Sequence, residues 1–172
     1  MIDFSGIVTA PMQLADLDEI MLIENAAFSH PWSRGNFVDS LSNMDNAWVA
    51  RSAQGELLAY FVQMAVVDES HLLTIAVKAS AQRQGLGSLM LDLVVQQAAL
   101  MQMTSILLEV RSSNLRALAL YQRFGFVQIG LRKNYYQRTA QQREDALVLR
   151  YTLPCAASPC AAPVPERKNV AQ

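Results

Sequence analysis

The hydrophobic pattern changes its period across one glycine-containing loop, and this change constrains the fold more than any other feature of the chain. Residues 71–77 read as a strand, whereas the apolar residues from Leu86 onward are spaced three and four apart, as on one face of a helix. The loop between them contains Gly85 and Gly87. Free backbone N–H groups at the start of such a helix favour an anion, although the same glycines would also serve a plain tight turn.

The same two periods alternate along the rest of the chain. Helical spacing covers residues 13–28, 34–41, the segment from 86 and 114–124; strand-like runs cover residues 6–10, 47–51, 57–67, 71–77, 105–111, 126–136 and 146–153. Hairpin-length gaps separate the second, third and fourth runs, which predicts an antiparallel meander. Ser33 is the expected N-cap of the second helix, and Gly125 is the expected left-handed cap after the last one.

Length and charge limit the classes of partner. A chain of 172 residues is long enough for one well-packed domain. Its formal charge of −1 provides no basic footprint for direct nucleic-acid binding. The longest apolar run, residues 57–67, is about half of a membrane-spanning helix, and Asp3 stands where a signal peptide carries positive charge. We therefore expect a cytoplasmic protein with no membrane partner.

The composition changes after Leu153. Residues 154–172 are rich in proline and alanine and follow neither period, so we expect residues 1–153 to form the folded domain and the remainder a disordered tail. Both cysteines, Cys155 and Cys160, fall in this tail without a nearby histidine. Neither a disulfide framework nor a metal site is predicted.

Two familiar phosphate loops do not fit the glycine loop. A dinucleotide fingerprint needs a third glycine where this chain has Met90, whose side chain would prevent close packing of helix on strand. A P-loop needs a lysine after its last glycine, but Gly87 is followed by Ser88 and Leu89.

The stretch "QRQGLG", residues 82–87, resembles the Q/R-x-x-G-x-G/A signature of the GNAT acetyltransferases. Further segments resemble the RimI group of that family, which acetylates the N-terminal alanine of a small-subunit ribosomal protein: "PWS", "LLTIAV", "QRQGLGSLML", "LLEVRSSNLRALALYQRFGF", "RKNYY" and "REDALVL". The resemblance covers roughly residues 12–153.

The resemblance implies both the fold and the co-substrate. The fold would be α/β (α+β), with a mixed, mostly antiparallel sheet of about seven strands and about four helices, splayed where acetyl-CoA binds. Acetyl-CoA would lie against the backbone of Ile75, Ala76 and Val77 and against Asn114, which is also a candidate helix N-cap. The loop residues Arg83, Gln84, Gly85, Leu86, Gly87 and Ser88 would hold its pyrophosphate.

Two side chains are candidates for proton transfer. Glu109 follows three apolar residues in a strand that we expect to be covered on both faces, where a lone carboxylate costs free energy unless it is paired or useful. It could simply pair with Arg111 or another surface charge at the strand end. Tyr121, on the next helix, could simply pack. The resemblance implies Glu109 as the general base and Tyr121 as the general acid, in a direct transfer without an acyl-enzyme.

The resemblance also implies the acceptor, the N-terminal alanine of a basic ribosomal protein. Acidic residues that could meet such a peptide are Glu24 and the pairs at 68–69 and 144–145, while Trp32 and residues 134–136 could form groove walls. The alternatives are a GNAT enzyme acting on another protein N-terminus or on a small amine such as a polyamine or an aminoglycoside, and a non-catalytic acyl-CoA-binding module.

Overall fold

The computed structural model describes residues 6–138 and 141–154, which form one seven-stranded sheet with helices on both faces. The elements are β1 (Ile7–Pro11), α1 (Leu17–Ala27), α2 (Arg34–Ser42), β2 (Asn46–Ser52), β3 (Leu57–Val66), β4 (Glu69–Val77), α3 (Leu86–Leu100), β5 (Ser105–Arg111), α4 (Leu115–Phe124), β6 (Val127–Gln137) and β7 (Arg143–Thr152). Short 3-10 turns at Leu14–Asp16 and Ala79–Ala81 precede α1 and α3. This is the order of elements that the alternating periods predict. Apart from Pro154, the predicted tail and its two cysteines lie outside the described residues.

Three boundaries differ from the predicted ones by two residues or more. The helix expected from residue 13 starts as a 3-10 turn, because Asp16 accepts from the Gln13 N–H at 2.7 Å and also pairs with Arg51 at 2.7 Å. Strand β4 starts two residues earlier than expected, and β7 starts three residues earlier, at Arg143. Both extensions are hairpin pairings of polar residues, which the apolar pattern does not detect.

The strand order is β1-β2-β3-β4-β5-β7-β6, and only the β4–β5 pair is parallel. The predicted meander of β2, β3 and β4 and the mixed, mostly antiparallel sheet are therefore confirmed. The parallel pair arises because α3 crosses from one end of the sheet to the other between β4 and β5. No helix among the described residues is long and apolar enough to span a bilayer.

The core has two main layers, one on each face of the sheet. Phe61 on β3 belongs to the layer formed with α3 and α4, while its neighbours Tyr60 and Val62 belong to the layer formed with α1 and α2. Since both faces of β3 are buried, its sequence is a continuous apolar run rather than an alternation. The fold thereby places the ends of β4 and β5 between α1 on one face and α4 on the other.

Candidate active site

The sheet opens between its two central parallel strands. Strands β4 and β5 are paired only from Glu69 with Ser105 to Leu72 with Leu108. Beyond this point, both strands continue in the described structure without pairing to each other. Two cavities, of about 850 and 380 Å³, lie at this opening.

The glycine loop lines the larger cavity. Gly85 has a left-handed φ of 81° and occupies the N-cap position of α3, without a side-chain cap. The N–H groups of Leu86 and Gly87 therefore lie in the first helical turn, where no intrahelical acceptor exists. Ser88 and Arg83 also line this cavity. The loop thus presents unpaired donors, the positive end of a helix and a guanidinium to one space.

The predicted loop residues do not all contribute side chains to this cavity. The Gln84 amide donates to the Ser80 carbonyl at 3.2 Å, and the Leu86 side chain is buried beneath the loop. Arg83 has a φ of 63°, in the left-handed region that residues other than glycine rarely occupy. Such a conformation costs of order 1–3 kcal/mol and is found mainly where a ligand is bound or a chain switches.

One edge of β4 is open to the larger cavity. Ile75, Ala76 and Val77 line it and pair with β3 on their other side. The Val77 carbonyl accepts from the Gln82 side chain at 3.1 Å, which fixes the loop to the strand. A free strand edge can hydrogen-bond the amides of an extended ligand in the way a neighbouring strand would.

The donor set of the larger cavity fits an anionic, amide-bearing molecule such as acetyl-CoA. The loop supplies N–H groups for phosphate, and the β4 edge supplies partners for amides. None of the described residues lining the cavity is an aspartate or glutamate. In the described ranges, no three His, Cys, Asp or Glu side chains cluster closely enough to hold a metal ion.

Asn114 is the N-cap of α4 and also lines both cavities. Its side-chain oxygen accepts from the Ala117 N–H at 3.2 Å, which confirms the predicted cap. Because α4 begins at this residue, the cap fixes the helix end that faces the opening between β4 and β5.

Glu109 lies in the smaller cavity, where its strand is less covered than expected and its carboxylate pairs with another surface charge. Its side chain is 27% exposed and pairs with Arg132 of β6 at 3.1 Å, so it is neither fully covered nor alone. Arg111, the partner named from the sequence, pairs with Glu144 at 3.4 Å. Arg132 reaches Glu109 across β7, the strand that lies between β5 and β6.

Tyr121 is buried on α4, with 7% of its surface exposed. Its ring packs against Phe126, with the ring centroids 5.6 Å apart. Burial, and to a smaller extent the neighbouring Tyr136, raises the pKa of Tyr121 above its ordinary value. The hydroxyl therefore stays protonated throughout the neutral pH range, as a proton donor must.

The two cavities meet at a shared set of lining residues, namely Phe28, Ile75, Asn114, Ala117 and Tyr121. The larger cavity contains the glycine loop, and the smaller one contains Glu109. Tyr121 thus stands between a space suited to a cofactor and a space with a carboxylate. This arrangement suits a group transfer in which a donor and an acceptor are held at the same time.

Aromatic side chains form much of the wall of the smaller cavity, including Trp32, Tyr135 and Tyr136. The Tyr136 hydroxyl donates to the backbone carbonyl of Glu109 at 3.1 Å, and Arg111 lies over the Tyr136 ring at 4.4 Å from its centroid. Burial, followed by the nearby Glu109 carboxylate, raises the pKa of Tyr136 to about 12. The segments expected to wall a peptide groove therefore do lie around Glu109.

Glu24 has a role that the sequence interpretation missed. It is 1% exposed at the end of α1, not on the surface. Its carboxylate accepts from the Trp32 N–H at 2.8 Å and from the Tyr60 hydroxyl of β3. These bonds tie the segment 28–33, which borders both cavities, to the sheet. The available signal was the spacing of Glu24, seven residues after Leu17 and four after Ile20, which places it on the buried face of α1.

Replacing Glu24 with glutamine is expected to raise the free energy of unfolding at neutral pH. The amide can still accept from Trp32 and can donate to Tyr60, so both contacts persist. Burial raises the pKa of Glu24 above its ordinary value of 4.5. The contribution of Glu24 to the free energy of unfolding is therefore fully present below pH 4.5 and is lost as the pH rises through the raised pKa. In urea unfolding, the wild type should approach the stability of Glu24→Gln at pH 4 and fall below it at pH 8.

Glu24→Ala is the matched comparison for that experiment. It leaves the Trp32 N–H and the Tyr60 hydroxyl without their acceptor, which should lower the free energy of unfolding by about 1–3 kcal/mol. A Glu24→Gln variant that is less stable than the wild type at pH 8 would contradict the expected increase in the free energy of unfolding.

The acidic pairs expected to meet a basic peptide have other positions. Asp68 and Glu69 lie at the paired end of β4, away from the opening, where Glu69 pairs with Arg150 at 2.8 Å. Glu144 accepts from the Ser113 N–H at 2.7 Å, and hydrogen bonding from Ser113 lowers its pKa. Asp145 accepts from the Asn134 N–H at 2.8 Å. These carboxylates stabilise the scaffold around the site.

Comparison with known sequences agrees with this geometry. Residues 17–126 match the family described as the acetyltransferase (GNAT) family. A relative in Escherichia coli strain K12, named [ribosomal protein bS18]-alanine N-acetyltransferase, is 34% identical over 140 residues, which are 80% of this chain and 92% of the relative.

Solved structures show the same fold. The crystal structure of the ribosomal-protein-S18-alanine N-acetyltransferase from Escherichia coli superposes with a TM-score of 0.81 at 31% identity, covering 89% of this chain and 97% of that one. The NatC complex bound to Gag peptide and CoA contains a chain that matches with a TM-score of 0.75 at 18% identity, covering 87% of this chain and 99% of that one, which supports the fold alone. The protein is therefore an acetyltransferase that belongs to the GNAT family, in the group that contains the RimI enzymes.

Proposed function

We propose that the protein transfers the acetyl group of acetyl-CoA to the N-terminal α-amine of an alanine, in a small-subunit ribosomal protein. The observation that carries this proposal is the meeting of the two cavities at Tyr121, with the glycine loop on one side and Glu109 on the other. The printed function of the Escherichia coli relative supports the choice of acceptor.

In the proposed mechanism, Glu109 prepares the nucleophile. An α-amine has a pKa near 8, so only about a tenth of it is neutral at pH 7. The Glu109 carboxylate takes a proton from the ammonium group, directly or through one water. To reach this carboxylate, the ammonium group must compete with the half-exposed Arg132, which pairs with it. An ion pair with such an exposed partner is weak, so an arriving amine can displace it.

Tyr121 completes the proposed transfer. Acetyl-CoA, when bound, supplies an acetyl thioester. The neutral amine nitrogen attacks the thioester carbon, so that a C–N bond forms and the C–S bond breaks, and Tyr121 donates its proton to the departing thiolate. The acylated nitrogen loses its remaining extra proton, which restores the Tyr121 phenol directly or through water. The Tyr121 pKa is raised, but desolvation in the same cavity also makes the thiolate more basic, which favours this proton transfer.

The loop and strand residues complete the proposed site. Arg83 and the N–H groups at 85–87 bind the pyrophosphate, and Gln84 secures the loop. The backbone of Ile75, Ala76 and Val77 and the side chain of Asn114 orient the pantetheine arm. No metal is assigned a role. Trp32, Tyr135 and Tyr136 surround the first residues of the acceptor peptide.

A steady-state assay with acetyl-CoA tests the acceptor. We expect acetylation of a peptide that begins Ala-Arg, and none of the same peptide with a blocked α-amine or of spermidine. Release of CoA and the mass of the product are measured together. Acetylation of spermidine alone would overturn the peptide substrate in favour of a small amine.

A further inference from the structure

The larger cavity has an unusual balance of charge. Its described lining contains three arginines, Arg83, Arg116 and Arg123, and no carboxylate, although the whole chain has a formal charge of −1. Only Arg83 belongs to the glycine loop. The other two lie on α4 and have no part in the mechanism proposed above.

These three arginines also differ in their partners from five arginines elsewhere in the described structure. Five arginines elsewhere form ion pairs with carboxylates at 2.6–3.4 Å, namely Arg34, Arg51, Arg111, Arg132 and Arg150. Among the described residues, none of the three that line the larger cavity has such a pair. Their charges are therefore not compensated within that part of the chain and favour an anion in the cavity.

The geometry of α4 places Arg116 and Arg123 along the cavity that the glycine loop also lines. Seven residues apart on a helix, they lie about two turns from each other on one face. Leu120 lies between them and touches the loop, since a Cβ added to Gly87 would be 3.0 Å from Leu120 Cδ2. Arg116 also donates to the side chain of Gln82 in that loop.

Coenzyme A carries one more phosphate group than the loop accounts for. The loop N–H groups and Arg83 suit its pyrophosphate, whereas its ribose carries a separate 3′-phosphomonoester. We propose that Arg116 and Arg123 form a second phosphate site, which binds this 3′-phosphomonoester and lets the enzyme distinguish coenzyme A from dephospho-coenzyme A. This inference rests on the cofactor assigned in the proposed function.

Arginine suits such a site because its planar guanidinium donates in a fork that matches phosphate oxygens. Both side chains are exposed, so solvent and salt screen the attraction. We therefore expect a preference of about tenfold rather than a larger one, which corresponds to roughly one charge-assisted hydrogen bond at a wet site.

Isothermal titration of the protein with CoA and with dephospho-CoA tests this site without any acceptor peptide. The wild type should bind CoA about tenfold more tightly, and this preference should fall below about twofold in Arg116→Gln/Arg123→Gln, with the affinity for dephospho-CoA little changed. Glutamine retains part of the side-chain stem, which limits changes in packing. Arg34→Gln, at an exposed ion pair outside both cavities, is the matched control and should keep the preference.

The possible outcomes separate this inference from the proposed function. Equal binding of both ligands by the wild type, a preference that persists in the double variant, or an equal loss of affinity for both ligands would each overturn the second phosphate site. Absence of CoA binding would overturn the cofactor assignment together with it. Failure to acetylate the alanine peptide, with the titration result as expected, would overturn only the acceptor.

Discussion

Replacing Glu109 with glutamine is expected to lower turnover at neutral pH at least about tenfold, because the amide cannot take a proton and general-base effects reach 10²–10⁴. The affinity for acetyl-CoA should stay within about twofold of the wild-type value, since Glu109 lines the smaller cavity and not the larger one. The deficit should shrink as pH rises above about 8, where the α-amine is already neutral. Initial rates at saturating substrates from pH 6.5 to 9.5 measure this dependence.

Arg132→Gln separates the base from the ion pair. It removes the partner of Glu109 but leaves the carboxylate in place. An equal loss of turnover in both variants would assign the effect to the ion pair. Unchanged turnover in Glu109→Gln would remove Glu109 from the mechanism.

Replacing Tyr121 with phenylalanine is expected to lower turnover about tenfold or more while the domain stays folded, since only the hydroxyl that protonates the thiolate is lost. The raised pKa of Tyr121 also predicts how the free energy of unfolding depends on pH. The contribution of the Tyr121 hydroxyl to the free energy of unfolding is fully present below pH 10, which is the pKa of this hydroxyl in the unfolded chain. It is lost as the pH rises further. Above pH 10 the wild type should therefore lose stability relative to the variant, which urea unfolding at pH 8 and 10.5 measures.

Tyr151→Phe is the matched control for this change. Tyr151 packs against Phe126, as Tyr121 does, but it lines neither cavity. Its hydroxyl should be dispensable for turnover. If the main effect of Tyr121→Phe is a fall in melting temperature with turnover preserved, the tyrosine has only a packing role.

Local features of the site were predictable because they depend on neighbours in sequence. The left-handed conformation of Gly85 and the cap by Asn114 follow from residues within one helical turn, so the pattern of the chain is enough to locate them. The order of strands and helices was predictable for the same reason, since each element shows its own hydrophobic period.

The environments of the charged groups were not predictable in this way. Arg132 on β6 reaches Glu109 on β5 across the intervening strand β7. An ion pair that spans three strands leaves no periodic trace in the sequence. The burial of Glu24, which the sequence named only as a carboxylate that could meet the acceptor peptide, was not predicted, because isolated carboxylates usually are exposed. Its burial depends on the Tyr60 hydroxyl, which arrives from a distant strand. Similarly, the grouping of Arg83 with Arg116 and Arg123 appears only when α4 packs beside the loop.

The early separation of β4 from β5 also bears on how this protein avoids aggregation. An unpaired strand edge normally invites pairing with another chain, and proteins shield or shorten such edges. Here the unpaired edge of Ile75–Val77 lies in the middle of a seven-stranded sheet, between flanking helices, rather than at its rim. The fold can therefore keep backbone donors and acceptors available for a small extended ligand while offering little access to a strand from another molecule.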